Sequence, residues 1–138
     1  MGRVIGLDVG TKTIGVAVSD PLRMFAQPVE TVGRKGLKTD LPKLQALVVR
    51  HEVDAIVVGL PLELDGSESR SARLARQVGD GLGELTGLPV HYVDERFSSV
   101  EAERALVQQD VSRKRRKQII DQAAAVLILQ GYLDHGVF

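Results

Sequence analysis

Three acids in this 138-residue chain stand where a carboxylate is costly unless it has work to do. Asp8 falls inside "RVIGLDV", an almost continuous apolar run. Glu95, with Asp94 beside it, closes "LPVHYVDE". Asp121 lies at or near the start of the apolar stretch "QIIDQAAAVLILQGYL". Carboxylates collected in one place repel one another and lose hydration, and a divalent cation among them relieves both penalties. Hard oxygen ligands favour Mg2+ or Mn2+. A pair of such cations suits in-line attack on a phosphodiester: one helps generate the hydroxide and the other stabilises the leaving oxygen. Each acid also has an ordinary reading. Asp-x-Gly ahead of a hairpin is a common turn, a strand-end Glu is often simply solvated, and an Asp at a helix start can be its N-cap. Adjacent strand residues face opposite ways, so only one of Asp94 and Glu95 can point into a shared cluster.

Cations accompany the acids. "RKRRK", comprising Arg113, Lys114, Arg115, Arg116 and Lys117, stands just ahead of Asp121. It reads either as a solvated helix end or as a contact to a phosphate backbone. Arg96 follows the acid pair and could hold the phosphate being cut or neutralise the acids. Lys12 lies at the tip of "GTKT", a turn whose Gly10 allows close backbone approach and which could cradle a phosphate. His51, His91 and His135 have no metal-ligand spacing.

Positioning these groups requires strands and helices in a particular order. Residues 3–9 read as a strand buried on both faces, because the apolar run does not alternate. "GTKT" at 10–13 is a hairpin turn, and 14–20 is the returning strand. Residues 24–32 form a third strand. Pro28 cannot donate to a ladder, which places that strand at a sheet edge. Leu41, Leu44, Leu47 and Val48 recur at helical spacing and predict a helix over about 39–51. "DAIVVGL" at 54–60 is a buried parallel strand. Ser67 or Ser69 caps a helix that runs to about 85. Residues 88–95 are a strand, and 98–109 are helical, with Ser98 and Glu101 at capping-box spacing. "VSRKRRK" is a polar basic connector, and 118–133 a final helix. Asp121, Ala124, Ala125 and Ile128 share one of its faces. Strand C-terminal ends and helix starts of αβ units meet at one edge of a sheet, which is where the acids would collect. The order β-β-β-α-β-α-β-α-α implies an α/β fold with a mixed sheet and helices over its faces.

The totals narrow the class. Hydrophobic residues make up 43% and charged residues 26%, as expected of one globular domain over residues 1–138. No stretch is apolar enough for a membrane span. The first residues lack the long apolar region of a signal peptide. There is no Cys, which excludes disulfides and thiolate metal sites and makes a cytoplasmic location the default. The net charge is zero, so any surface for nucleic acid has to be local. Aromatics are 4%, too few for a platform that stacks single-stranded bases. Recognition by shape and backbone fits better.

Four segments in order resemble the YqgF family, also called RuvX, whose members are Holliday-junction-resolvase-like proteins: "GLDVGTKTIGVAVSD", "VVGLPLELDGSES", "VDERFSSVEAE" and "IIDQAAAVLILQGYLD". "DERFSS" departs slightly from the threonine-rich form of the third. The resemblance spans essentially the whole chain. It implies an RNase H-like fold, a five-stranded sheet with strands 1 to 3 antiparallel and 4 and 5 parallel. It also implies metal-dependent phosphodiester cleavage by the acids matching Asp8, Glu95 and Asp121. The substrate it implies is the 5′ end of pre-16S ribosomal RNA, with RNA ahead of DNA. Four-way DNA junctions are the alternative, and cutting both strands symmetrically would call for a homodimer. A non-catalytic RNA-binding assembly factor is a further alternative. A nucleotide-binding kinase with a similar Asp-x-Gly-Thr turn would need two such domains, and this length supplies one.

Overall fold

The computed structural model describes residues 2–63, 65–95 and 113–135, with residues 113–122 described by their backbone alone. Five strands form one sheet in the order β3-β2-β1-β4-β5: β1 (Arg3–Val9), β2 (Thr13–Ser19), β3 (Ala26–Gly33), β4 (Val53–Leu60) and β5 (Val90–Asp94). β1–β2 and β2–β3 pair antiparallel, whereas β1–β4 and β4–β5 pair parallel. This is the mixed sheet the sequence implies, with β3 at an edge as Pro28 requires. Helices α1 (Leu37–Arg50) and α2 (Arg70–Thr86) cover one face, and α3 (Arg113–His135) covers the other. The expected helix over 98–109 lies outside the described residues. Among the described residues, no helix is long and apolar enough to cross a membrane.

Strand alternation divides the core in two. Ile5, Leu7, Ile14, Val16, Ile56 and Val58 face α1 and α2. Val4, Ala17, Ala55, Val57 and Val93 face Ala124, Ala125, Ile128 and Leu129 of α3. The second face is built from small residues, so α3 comes close. A Cβ added to Gly6 would lie 2.7 Å from the Leu129 Cβ and 3.2 Å from the Ala125 carbonyl oxygen. Backbone-to-backbone approach of that kind admits only glycine.

Most boundaries fall within one or two residues of the expected ones, and two differences have a visible cause. β3 begins at Ala26, because Met24 and Phe25 are taken out of the ladder: both backbone N–H groups donate to Asp20 Oδ1 at 2.8 Å. These bonds, that from Phe25 foremost, hold the Asp20 carboxyl below its usual range. The second difference corrects the basic connector. The chain is helical from Arg113, so "RKRRK" forms the first turns of α3. Polarity suggested a loop there, yet Arg and Lys are good helix formers.

The caps resolve one ambiguity: Ser69, not Ser67, caps α2 by accepting from the Ala72 N–H. Gly87 ends that helix in the left-handed region, at φ 73°. α1 has no side-chain cap. Instead the fully buried Asp40 turns back onto its own leading loop, accepting from the N–H groups of Lys35 (3.0 Å) and Gly36 (3.3 Å) and from Arg34 Nε (3.5 Å). Asp40→Ala strands a guanidinium that is only 11% exposed. The expected cost is about 3 kcal/mol. Urea unfolding should show the midpoint falling with the slope unchanged.

Candidate active site

Asp8 is the penultimate residue of β1 and is 8% exposed. It alternates with Val4 and Gly6, so it belongs to the face covered by α3. The parallel register Leu7↔Val58 makes Gly59 its neighbour on β4. Gly59 pairs with Val93 of β5. Glu95, one residue past β5, reaches back over Gly59: its Oε1 lies 2.7 Å from the place a Gly59 Cβ would take. The side chain of Ile128 on α3 closes the same spot from above, with Cδ1 2.4 Å from that place. The missing side chain at Gly59 therefore makes room for the Glu95 carboxylate, about one strand spacing (~4.8 Å) from β1.

The alternation also decides between the paired acids. His91 stacks on Tyr132 of α3, with ring centroids 5.4 Å apart, so His91, Val93 and Glu95 share the α3 face. Tyr92 points the other way and donates to Asp80 of α2 at 2.5 Å, with the Arg76 guanidinium 4.8 Å over its ring. Burial first, then the bond to Asp80, pushes the Tyr92 phenol far above its ordinary value, so it stays protonated. Asp94 follows Tyr92 by two residues and belongs to that opposite face. The structure thus puts Glu95, and not Asp94, on the face of Asp8.

Asp121 is placed by the helix axis. α3 runs counter to the parallel strands, since Tyr132 meets His91 at the start of β5 and Ile128 meets Gly59 near the end of β4. From Ala125, which lies over Gly6, Asp121 is one turn or about 6 Å nearer the helix start. From Gly6, Asp8 is two residues or about 7 Å further along β1. The two displacements have the same sense and nearly the same length. Asp121 is thereby level with Asp8, on the helix face that carries Ala124, Ala125 and Ile128. Its side chain lies outside the described residues, as do Arg96 and the side chains of Arg113, Lys114, Arg115, Arg116 and Lys117. Among the described residues no group of three or more His, Cys, Asp or Glu side chains gathers as metal ligands.

Lys12 is exposed at the tip of the β1–β2 turn, four residues past Asp8. The turn is closed by the Gly10 N–H to the Thr13 carbonyl at 2.8 Å. It is tied to the start of α1 by Arg34, which donates from its backbone N–H to the Lys12 carbonyl (2.8 Å) and from its guanidinium to the Gly10 carbonyl (3.1 Å). The sequence reading missed this Arg34–Asp40 bracket. Its one visible signal was an acid in the first turn of a helix that lacks a capping side chain.

The comparisons with known proteins agree with this architecture. The RuvX family, described as "Holliday junction resolvase", matches residues 2–135. A Moorella thermoacetica protein named "Putative pre-16S rRNA nuclease" is 52% identical over 132 residues, covering 96% of this chain and 94% of its own. A Myxococcus xanthus protein of the same name is also 52% identical over 132 residues, covering 96% and 87%. Among solved structures, Thermus thermophilus RuvC in complex with a Holliday junction substrate superposes with a TM-score of 0.59 at 16% identity, over 97% of this chain and 95% of that one. Fowlpox virus resolvase with Holliday junction DNA gives 0.58 at 10% identity, over 96% and 97%. At such identities the structural likeness speaks for the fold alone. The family match over nearly the whole length, with relatives at half identity, fixes the membership: this chain belongs to the RuvX family.

Proposed function

We propose that the protein is a divalent-metal-dependent nuclease acting on structured nucleic acid, with the 5′ end of pre-16S rRNA as its substrate. The observation that carries the reading is the placement of Asp8 and Glu95 on one face at the C-terminal edge of the sheet, with the Asp121 position level with them on α3. Their donor atoms fit Mg2+ or Mn2+: they are carboxylate oxygens, and no thiolate competes. The missing side chain at Gly59 is what lets the Glu95 carboxylate sit over β4, on the face of Asp8. Asp8, Glu95 and Asp121 would hold the cation, whose chemistry when bound is to lower the pKa of water and to offset charge on the phosphate. The chain's own contribution is orientation. The buried β1 strand fixes Asp8, Gly59 and Ile128 seat Glu95, and the apolar packing of Ala124, Ala125 and Ile128 covers the α3 side of that face. Lys12, Arg96 and the Arg113–Lys117 run would engage phosphates flanking the cleaved bond. Such contacts read the backbone, consistent with few aromatics.

The names of the half-identical relatives favour ribosomal RNA. The family description keeps four-way DNA in view as the second substrate. One assay separates them. The purified protein is incubated with a precursor carrying the 5′ end of 16S rRNA and with a synthetic four-way junction, each with Mg2+, with Mn2+ and with a chelator. Cleavage of the RNA that requires metal is expected. Cleavage of the junction alone would transfer the reading to DNA. RNA binding indifferent to metal, with no cleavage of either substrate, would make the protein a non-catalytic assembly factor.

A further inference from the structure

The cations on the α1 side of the sheet edge form a feature distinct from the basic run on α3. From Thr31 to His51 the sequence holds Arg34, Lys35, Lys38, Lys43 and Arg50 against one acid, Asp40. That acid is fully buried and engaged by Arg34 and two backbone N–H groups. It lies beneath the surface on which Lys35 and Lys38 are exposed. Lys12 is exposed on the neighbouring turn, which Arg34 bonds at both Gly10 and Lys12. Among the described residues, the ammonium groups of Lys12, Lys35 and Lys38 have no ion-pair partner. The N–H groups of Thr11 and Lys12 have no carbonyl partner there either.

Lys38 is the second residue of α1, where the helix dipole disfavours a cation. Local stability therefore does not account for it. The Arg34–Asp40 bracket ties the loop that leads to Lys35 and Lys38 to the turn that carries Lys12. In a chain of zero net charge, Lys12, Lys35 and Lys38 are a local excess beside the turn that follows Asp8.

We infer that Lys12, Lys35 and Lys38 form a phosphate-backbone contact on the α1 side of the edge, opposite the side where α3 begins. The inference rests on the nuclease reading and deepens it: the substrate is gripped on both sides of the cleaved bond. Nucleic acid lies across the sheet edge, over Asp8 and Glu95, with one stretch of backbone against the β1–β2 turn and α1.

The test measures binding without divalent metal, so it does not depend on cleavage. A fluorescent RNA hairpin carrying the 16S 5′ precursor sequence is titrated over a series of KCl concentrations. The variant Lys35→Gln/Lys38→Gln is compared with the parent and with Lys43→Gln/Arg50→Gln, which removes the same charge further along α1. All four substituted positions are exposed, and far-UV circular dichroism and melting temperature confirm that both variants fold. The expected result for Lys35→Gln/Lys38→Gln is a Kd at 100 mM KCl raised about tenfold or more, with the log–log salt slope reduced by nearly 2. Lys43→Gln/Arg50→Gln keeps the parent slope. An unchanged slope in the first variant, or an equal loss in both, overturns the inference. Failure of the nuclease reading shows separately, as a parent that binds this RNA but never cuts it.

Discussion

Asp8→Asn is expected to lose metal-dependent cleavage by on the order of 10^3-fold or more while the protein stays folded. The substitution keeps the side chain's size and removes its charge at a position that is 8% exposed. An amide oxygen is a far weaker ligand for a hard cation than a carboxylate. Several kcal/mol of transition-state stabilisation are at stake, and each 1.4 kcal/mol or so is a factor of ten in rate. Asp8 is the member of the acid set rooted in the central strand, between β2 and β4, so no backbone shift can bring a substitute into its place. Single-turnover cleavage, with circular dichroism beside it, measures both halves of the expectation. Parent-like cleavage by a folded Asp8→Asn protein would remove Asp8 from the reaction. Loss of the fold would instead mark it as structural.

The second large effect comes from a residue with no chemistry of its own. Gly59→Ala puts a methyl group 2.7 Å from Glu95 Oε1 and 2.4 Å from the Ile128 Cδ1. Both neighbours are ends of flexible side chains, so the sheet can keep its register, at a cost of about 1–3 kcal/mol for overpacking. Glu95 has to swing away, and a displacement of about 1 Å at a reacting centre can cost 10^2-fold in rate. A drop in kcat of that order is expected, with a fall in Tm of several degrees. Adding Ile128→Val should recover the melting temperature by relieving the helix side, and should leave kcat low because the methyl still occupies the Glu95 position. Recovery of both together would mean that Glu95 tolerates the move and that its seat on Gly59 is unimportant.

Why some of this was legible in the sequence, and some not, follows from the range of the interactions. An apolar run without alternation is a local signal of a strand covered on both faces, and Asp8 interrupts that signal visibly. Pro28 announced an edge strand because its missing N–H is a property of the residue itself. Choosing Glu95 over Asp94 needed the pairing register, which brings together residues more than 30 apart along the chain, Gly59 and Val93 among them. The start of β3 depended on one carboxylate, Asp20, reaching four and five residues ahead. The Arg34–Asp40 bracket was invisible for a different reason. Nothing in "GRKGLKTD" tells which of its cations turns inward, and that choice is made by the position of the β1–β2 turn. The basic connector misled because solvated charge is common to loops and to helix surfaces alike.

The docking of α3 on a face of glycines and alanines also bears on when the protein becomes active. Gln130 bonds the Ala26 N–H and the Met24 carbonyl, across more than a hundred residues of chain. Asp121 arrives at the edge with that same helix. A nascent chain can pair its first four strands and raise Asp8 into place while α3 is still being synthesised. The proposed set of acids is complete only once α3 has closed over Gly6. In the proposed reading, cleavage therefore waits on the docking of α3 and not on the formation of the sheet.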